Sequence, residues 1–224
     1  MHVVASLLIA VGFTSLFLIV LALPSLFLGI AGNFKTAFLL TISIAQTLAY
    51  FLTVRLRFLK SEFLKNLGIT KEGLIGFIKV GLKYWVIIEL TAIVWDFIVT
   101  KLGFSPSGPG GRTWITTLKT IPLFYIFISQ AFLGPLGEEI FYRGYVFKYF
   151  RQKFSFSRAA LISAAIFAVV HLNPTQLPLL VLHGYLYAMM FEETKSVISP
   201  YTSHMLKNFL TILFQVIPVV WYVK

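Results

Sequence analysis

The sequence predicts an all-α protein: a polytopic transmembrane bundle of about seven spans, within a range of roughly six to eight, built as one domain over residues 1–224. Three observations predict it. The chain is 58% hydrophobic and only 12% charged, with a mean hydropathy of +0.86, whereas soluble domains carry about 25% charged residues. Its apolar residues fall into runs long enough to cross a bilayer, for which about 20 residues suffice. Its Lys and Arg residues cluster between those runs, as they do in loops on the cytoplasmic face of a membrane. The clustering accounts for the net charge of +11 without a nucleic-acid surface. No polar insert is long enough to fold separately. The chain has no cysteine, which excludes a thiol nucleophile, a thiolate metal site and disulfides.

The elements follow in order. Residues 3–34 hold no Asp, Glu, Lys, Arg or His and read as one long helix, bent near Pro24. The run is too long for the core of a signal peptide and no basic residue precedes it, so cleavage is not expected. Neither end carries a lipidation motif. Residues 36–54 form a second span, and 55–83 a basic connector. The third span, 84–100, carries Glu89 and Asp96. A Pro/Gly-rich loop at 105–111 leads to a fourth span at about 114–137, which contains Pro122 and Pro135. Residues 141–158 are aromatic and basic, and are expected to form an amphipathic helix at the interface. Spans five and six, 159–172 and 175–191, meet at the tight turn Asn173-Pro174. Residues 203–223 form the seventh. The motif-bearing core covers about 114–223. Loop charge sets the orientation: connectors 55–83, 143–158 and 192–202 hold thirteen Lys and Arg, against five on the other side. The first side is expected to be cytoplasmic, with the N-terminus, in a plasma-membrane protein.

Polar groups that a membrane segment should not contain mark the candidate site. Glu138 and Glu139 lie at the end of the fourth span. Glu139 and Arg143 are four apart with Glu first, the favourable order for a helical ion pair. Glu138 points about 100° away. One carboxylate can thus be neutralised while the other stays available as a general base. A purely structural ion-pair cluster is the competing reading. His171 follows Phe167 by one helical turn, and by itself a His there is more often structural. His204 and Asn208 are also four apart, so both can donate hydrogen bonds toward one point, as an oxyanion requires. Glu89 and Asp96 are seven apart and share a face, most simply one that contacts Lys or Arg inside the bundle. His183 has no patterned neighbour and reads as structural. The chain contains neither G-x-S-x-G nor H-E-x-x-H.

The three motifs Glu138-Glu139-Ile-Phe-Tyr-Arg143, Phe167-Ala-Val-Val-His171 and His204-Met-Leu-Lys-Asn208, in this order on separate helices, resemble the CPBP family of intramembrane proteases. This family is also called the Abi or type II CAAX prenyl endopeptidase family. The likeness covers about residues 136–210. It implies an endopeptidase that cuts a prenylated CAAX-type, or other membrane-associated, protein or peptide near its C-terminus. Carried over by position, Glu138 activates water with help from His171, His204 and Asn208 hold the oxyanion, and Glu139 with Arg143 orients the site. Family members often have eight spans.

No cofactor is favoured. The alternative is a divalent metal such as zinc on Glu138, His171 and His204, but that assignment consumes the base and an oxyanion donor. The expected partners are the bilayer and the substrate. The rival readings are a proton- or cation-coupled transporter and a non-catalytic bacteriocin self-immunity protein. One tension remains. His171 lies twelve residues along its span, about 18 Å, while Glu138 and His204 sit near span ends. They meet only if 141–158 dips inward or span five tilts steeply. The expected result is a water-filled cavity open to the cytoplasm.

Overall fold

The computed structural model describes residues 63–106 and 123–216, with Leu48 as an isolated helical residue. The first two expected spans, the loop 107–111 and the ends of the fourth and seventh spans lie outside the described residues. Within them every regular element is helical. The order is α1 (Phe63–Asn66), α2 (Leu74–Lys101), α3 (Leu123–Ile126), π1 (Phe127–Leu133), α4 (Gly134–Phe141), π2 (Tyr142–Phe147), α5 (Lys148–Arg151), α6 (Phe156–Val169), α7 (Leu177–Thr194), α8 (Ile198–Thr211) and π3 (Ile212–Val216).

The stretch from α3 to α5 is one helical rod whose α-helical register is interrupted twice by π turns. Pro135 has no amide hydrogen to give the carbonyl four residues back, so an α-helical register cannot run through it. The chain relaxes into the wider π turn just before it, and the Gly134 amide reaches back to the Ser129 carbonyl. A second π segment follows at once. Glu138 and Glu139 therefore occupy a short α-helical segment held between two π-helices, a deformation often found at functional sites.

The helix α7 ends where Lys195 takes the left-handed conformation, φ 54°. Its amide donates to the Phe191 carbonyl at 2.7 Å, and Thr194 Oγ1 donates to the Met190 carbonyl at 2.7 Å. These bonds cap the last turn and reverse the chain into α8. The loop after α1 docks on that reversal, because the Val197 amide donates to the Leu67 carbonyl at 2.9 Å.

Buried positions on α7 recur at helical spacing: Leu179, His183, Tyr187 and Met190 make one inward face. Its partner α6 offers Ala160, Ser163, Ala164 and Phe167. Small residues let the two backbones approach. A Cβ on Gly184 would sit 2.9 Å from Ala164 Cα and Cβ, so Gly184→Val must push α6 away. We expect it to destabilise the protein by about 1–3 kcal/mol, as overpacking does, measured as a lower unfolding midpoint in detergent. An unchanged midpoint contradicts this account of the helix contact.

One expectation needs correction, and another is met only in part. Residues 141–147 do not lie at an interface. From Phe141 to Phe147 every residue is buried, and Phe141, Tyr142, Val146 and Phe147 belong to the main apolar core. Their aromatic side chains pack on both sides of the rod, and Phe147 meets Phe156 and Phe191 edge-on. Only the basic part, about 148–158, reaches the surface. The spans are the expectation met in part: the described elements are all helical. No helix among the described residues is long and apolar enough to cross a membrane. The 28-residue α2 contains the expected third span but carries Lys79, Lys83, Glu89, Asp96 and Lys101. The helices α6 and α8, which match the fifth and seventh spans, have only 14 residues each.

Candidate active site

Four helices bring the motif residues to one cavity of about 560 Å³. From α4 comes Glu138, and from the turn closing α6 comes His171. The helix α8 supplies His204 and Asn208, and α7 supplies Tyr187 and His183. The inward packing of 141–147 brings these elements together despite the twelve residues that precede His171 in its span.

The two carboxylates of the pair are in different surroundings. Glu139 is fully buried and its Oε1 accepts from Arg143 Nη1 at 3.0 Å, with Arg143 equally buried. Arg143 Nη2 donates to the Gly184 carbonyl at 3.1 Å. Its guanidinium lies between the rings of Phe167 and Tyr187, 4.7 and 4.9 Å from their centroids, an arrangement that adds cation–π attraction in a desolvated site. The side chain of Glu138, by contrast, keeps 15% of its surface exposed and faces the cavity.

The histidine hydrogen bonds define what each ring offers. His171 Nδ1 lies 2.7 Å from the Phe167 carbonyl. A carbonyl only accepts, so Nδ1 carries the hydrogen, and the neutral ring presents a lone pair at Nε2. That nitrogen is 4.0 Å from Glu138 Oε2. His204 Nδ1 lies 2.8 Å from Glu139 Oε1, the oxygen that also accepts from Arg143. With an ionised carboxylate there, His204 Nδ1 donates too. Its Nε2 lies 3.8 Å from Glu138 Oε2. Tyr187 stacks on the His204 ring, with centroids 4.9 Å apart and planes 20° apart.

This changes the expected pairing of His204 and Asn208 as oxyanion donors. His204 can donate at Nε2 only as the imidazolium, with Glu139 as its counter-ion. Asn208 Nδ2 already donates to the Gln130 carbonyl at 2.9 Å, which leaves its second amide hydrogen for a ligand.

The spacing also bears on a metal. Donors about 2.0–2.2 Å from a tetrahedral ion lie about 3.3–3.5 Å from one another. Glu138 Oε2 is farther than this from both imidazole nitrogens. Among the described residues no group of three His, Cys, Asp or Glu side chains is placed to hold a metal ion. The present arrangement therefore does not fit a bound metal. It does fit a water molecule, which can donate to two acceptors about 4 Å apart.

Three other expectations meet the structure here. Asp96 lies in the cavity wall, but its Oδ1 accepts from Gln176 Nε2 at 3.1 Å. Glu89 accepts from Trp85 Nε1 at 3.2 Å. Neither has a Lys or Arg in ion-pair contact among the described residues. His183 lies 3.1 Å from Thr91 Oγ1, whose own hydrogen goes to the Ile88 carbonyl, so His183 donates and ties α7 to α2. Tyr187, Gln130 and Lys207 also line the cavity and were not singled out in the sequence. Two of them had a usable signal: Tyr187 is one helical turn from His183, and Lys207 adjoins Asn208.

The three motifs lie within the part of the chain that matches a known family model. Residues 120–210 match the family model described as Type II CAAX prenyl endopeptidase Rce1-like. The putative membrane peptidase YdiL of Bacillus subtilis (strain 168) is 30% identical over 110 residues, 49% of this chain and 44% of that protein. The membrane-embedded CAAX protease MroQ of Staphylococcus aureus (strain USA300) is 26% identical over 138 residues, 58% of this chain and 55% of that protein. The matches thus span about half the length of these relatives. No solved structure matches the chain significantly. The motif-bearing part of the chain, residues 120–210, is thus similar to the type II CAAX prenyl endopeptidase Rce1-like family.

Proposed function

We propose that the protein is an integral membrane endopeptidase that hydrolyses a peptide bond in a membrane-associated protein or peptide, prenylated or otherwise tethered to the bilayer. The observation that carries this reading is the position of Glu138. It faces the cavity with two imidazole nitrogens within 4.0 Å of one oxygen, while its neighbour Glu139 is separately neutralised by Arg143.

The chemistry follows from those positions. A water between Glu138 Oε2 and His171 Nε2 donates both hydrogens and keeps a lone pair for attack. As it adds to the peptide carbonyl carbon, Glu138 takes its proton. The carbonyl oxygen becomes an oxyanion and accepts from Asn208 Nδ2 and from protonated His204. Glu138 then passes its proton to the leaving amine and the C–N bond breaks. Glu139 and Arg143 act through His204, holding its ring and balancing its charge.

The membrane setting is supported by the named relatives and by the outer surface of α2. Ile75, Ile78, Leu82, Val86, Leu90, Ile93 and Phe97 are all exposed and recur every three or four residues. They form a continuous apolar stripe on a helix about 42 Å long, larger than soluble proteins usually leave uncovered. In the proposed topology of about seven spans, the N-terminus is cytoplasmic and the cavity opens to the cytoplasm.

The test uses the purified full-length chain in proteoliposomes with a pool of lipid-tethered peptides, read by mass spectrometry. We expect discrete cleavage products, and we expect chelators to leave the rate within about twofold, since the proposed steps use no metal. Ion flux without any peptide product overturns the reading. Activity abolished by chelation and restored by zinc overturns its metal-free chemistry.

A further inference from the structure

The catalytic cavity holds a cation that the proposed chemistry does not use. Lys207 is the only Lys or Arg in residues 196–223. It lines the cavity beside Asn208 and Thr211. It is half-buried, and no carboxylate pairs with it among the described residues, which include seven of the eight Asp and Glu. Its ammonium instead donates to Thr211 Oγ1 at 2.7 Å, and the Thr211 hydroxyl donates to the Lys207 carbonyl at 2.9 Å. One neutral acceptor leaves two ammonium hydrogens free. Of the two acids in the cavity wall, Asp96 is occupied by Gln176 and Glu138 faces the imidazoles of His171 and His204. A partly desolvated cation with a fixed direction and no counter-ion among the described residues is suited to an anionic ligand.

We propose that Lys207 is the receptor for a substrate carboxylate and sets the distance between that carboxylate and the bond that is cut. The inference rests on the endopeptidase reading above. Along α8, Thr211 lies seven residues beyond His204, an axial distance of about 10 Å. The hydrogen bond to Thr211 holds the ammonium near that level. An extended peptide covers about 10 Å in three residues. A substrate whose scissile carbonyl sits at His204 and Asn208 therefore places a carboxylate at Lys207 when about two or three residues follow the cut. A free C-terminus meets this requirement, and so does an acidic side chain at the same distance.

The experiment compares lipid-tethered peptide pools that differ only at their ends: free acid, C-terminal amide, and amide with an Asp at the third position past the cut. The full-length protein and its Lys207→Met and Lys207→Arg variants are assayed in proteoliposomes. We expect the native protein to favour the free acid over the amide by about tenfold or more in kcat/KM, the range of a charge-assisted hydrogen bond. Lys207→Met should lose this preference and still cleave the amide at the native rate, which also shows that it folds. Lys207→Arg should keep most of the preference. Equal rescue of the amide by the Asp identifies a side chain as the carboxylate source, and no rescue identifies the C-terminus. Cleavage by the native protein without acid preference overturns the Lys207 inference alone, as does a preference that survives in Lys207→Met. Absence of cleavage from every pool overturns the endopeptidase reading and this inference with it.

Discussion

Glu138→Gln should reduce peptide cleavage by about 10²–10⁴-fold, the usual contribution of a general base, and leave the fold unchanged. The substitution keeps size and shape and removes only the ability to take a proton. Little else depends on that carboxylate. Its nearest imidazole nitrogens are 3.8 and 4.0 Å away, beyond a direct hydrogen bond, and its side chain is partly exposed. The unfolding midpoint should therefore stay within about 1 °C, as expected for a site with no strong native contact to lose. Single-turnover cleavage and thermal unfolding on the same preparation provide the check. A folded Glu138→Gln protein that still cleaves at the native rate removes Glu138 from the chemistry.

Arg143→Met should have the opposite profile, with its largest effect on stability. The substitution leaves Glu139 fully buried without its cation, and breaking a buried pair from one side costs about 3–5 kcal/mol. The lost guanidinium also bridges to the Gly184 carbonyl and fills the space between Phe167 and Tyr187. Adding Glu139→Gln to Arg143→Met should recover part of the loss, because the uncompensated charge is then gone. Such recovery is the coupling expected of contacting groups. Denaturant unfolding in detergent micelles measures all three variants. A loss below about 1 kcal/mol for Arg143→Met would mean that the pair is solvated and not the buried anchor described above.

The two expectations illustrate how much was legible in the chain. The i,i+4 spacing of Glu139 and Arg143 on one helical face was enough to pair them, and their direct bond is present. The same periodicity separated Glu138 from its neighbour. Helical character was readable because apolar runs dominate the sequence. The stretch 141–147 is ambiguous in sequence, because its aromatic and basic residues fit an interfacial helix as well as a buried one. Nothing local reveals that Arg143 is covered by two rings from other helices.

Spacing within one helix therefore settles which carboxylate is neutralised and which is free, since neighbours four residues apart meet wherever the helix lies. Which atoms face Glu138 depends on packing between helices. His204 donates to Glu139 across 65 positions of sequence, His171 is turned by the carbonyl at the end of its own helix, and Lys207 enters the same cavity. Contacts over such distances arise from how α4, α6, α7 and α8 close on one another. That closure depends on close approaches such as Gly184 against Ala164, which no local pattern encodes.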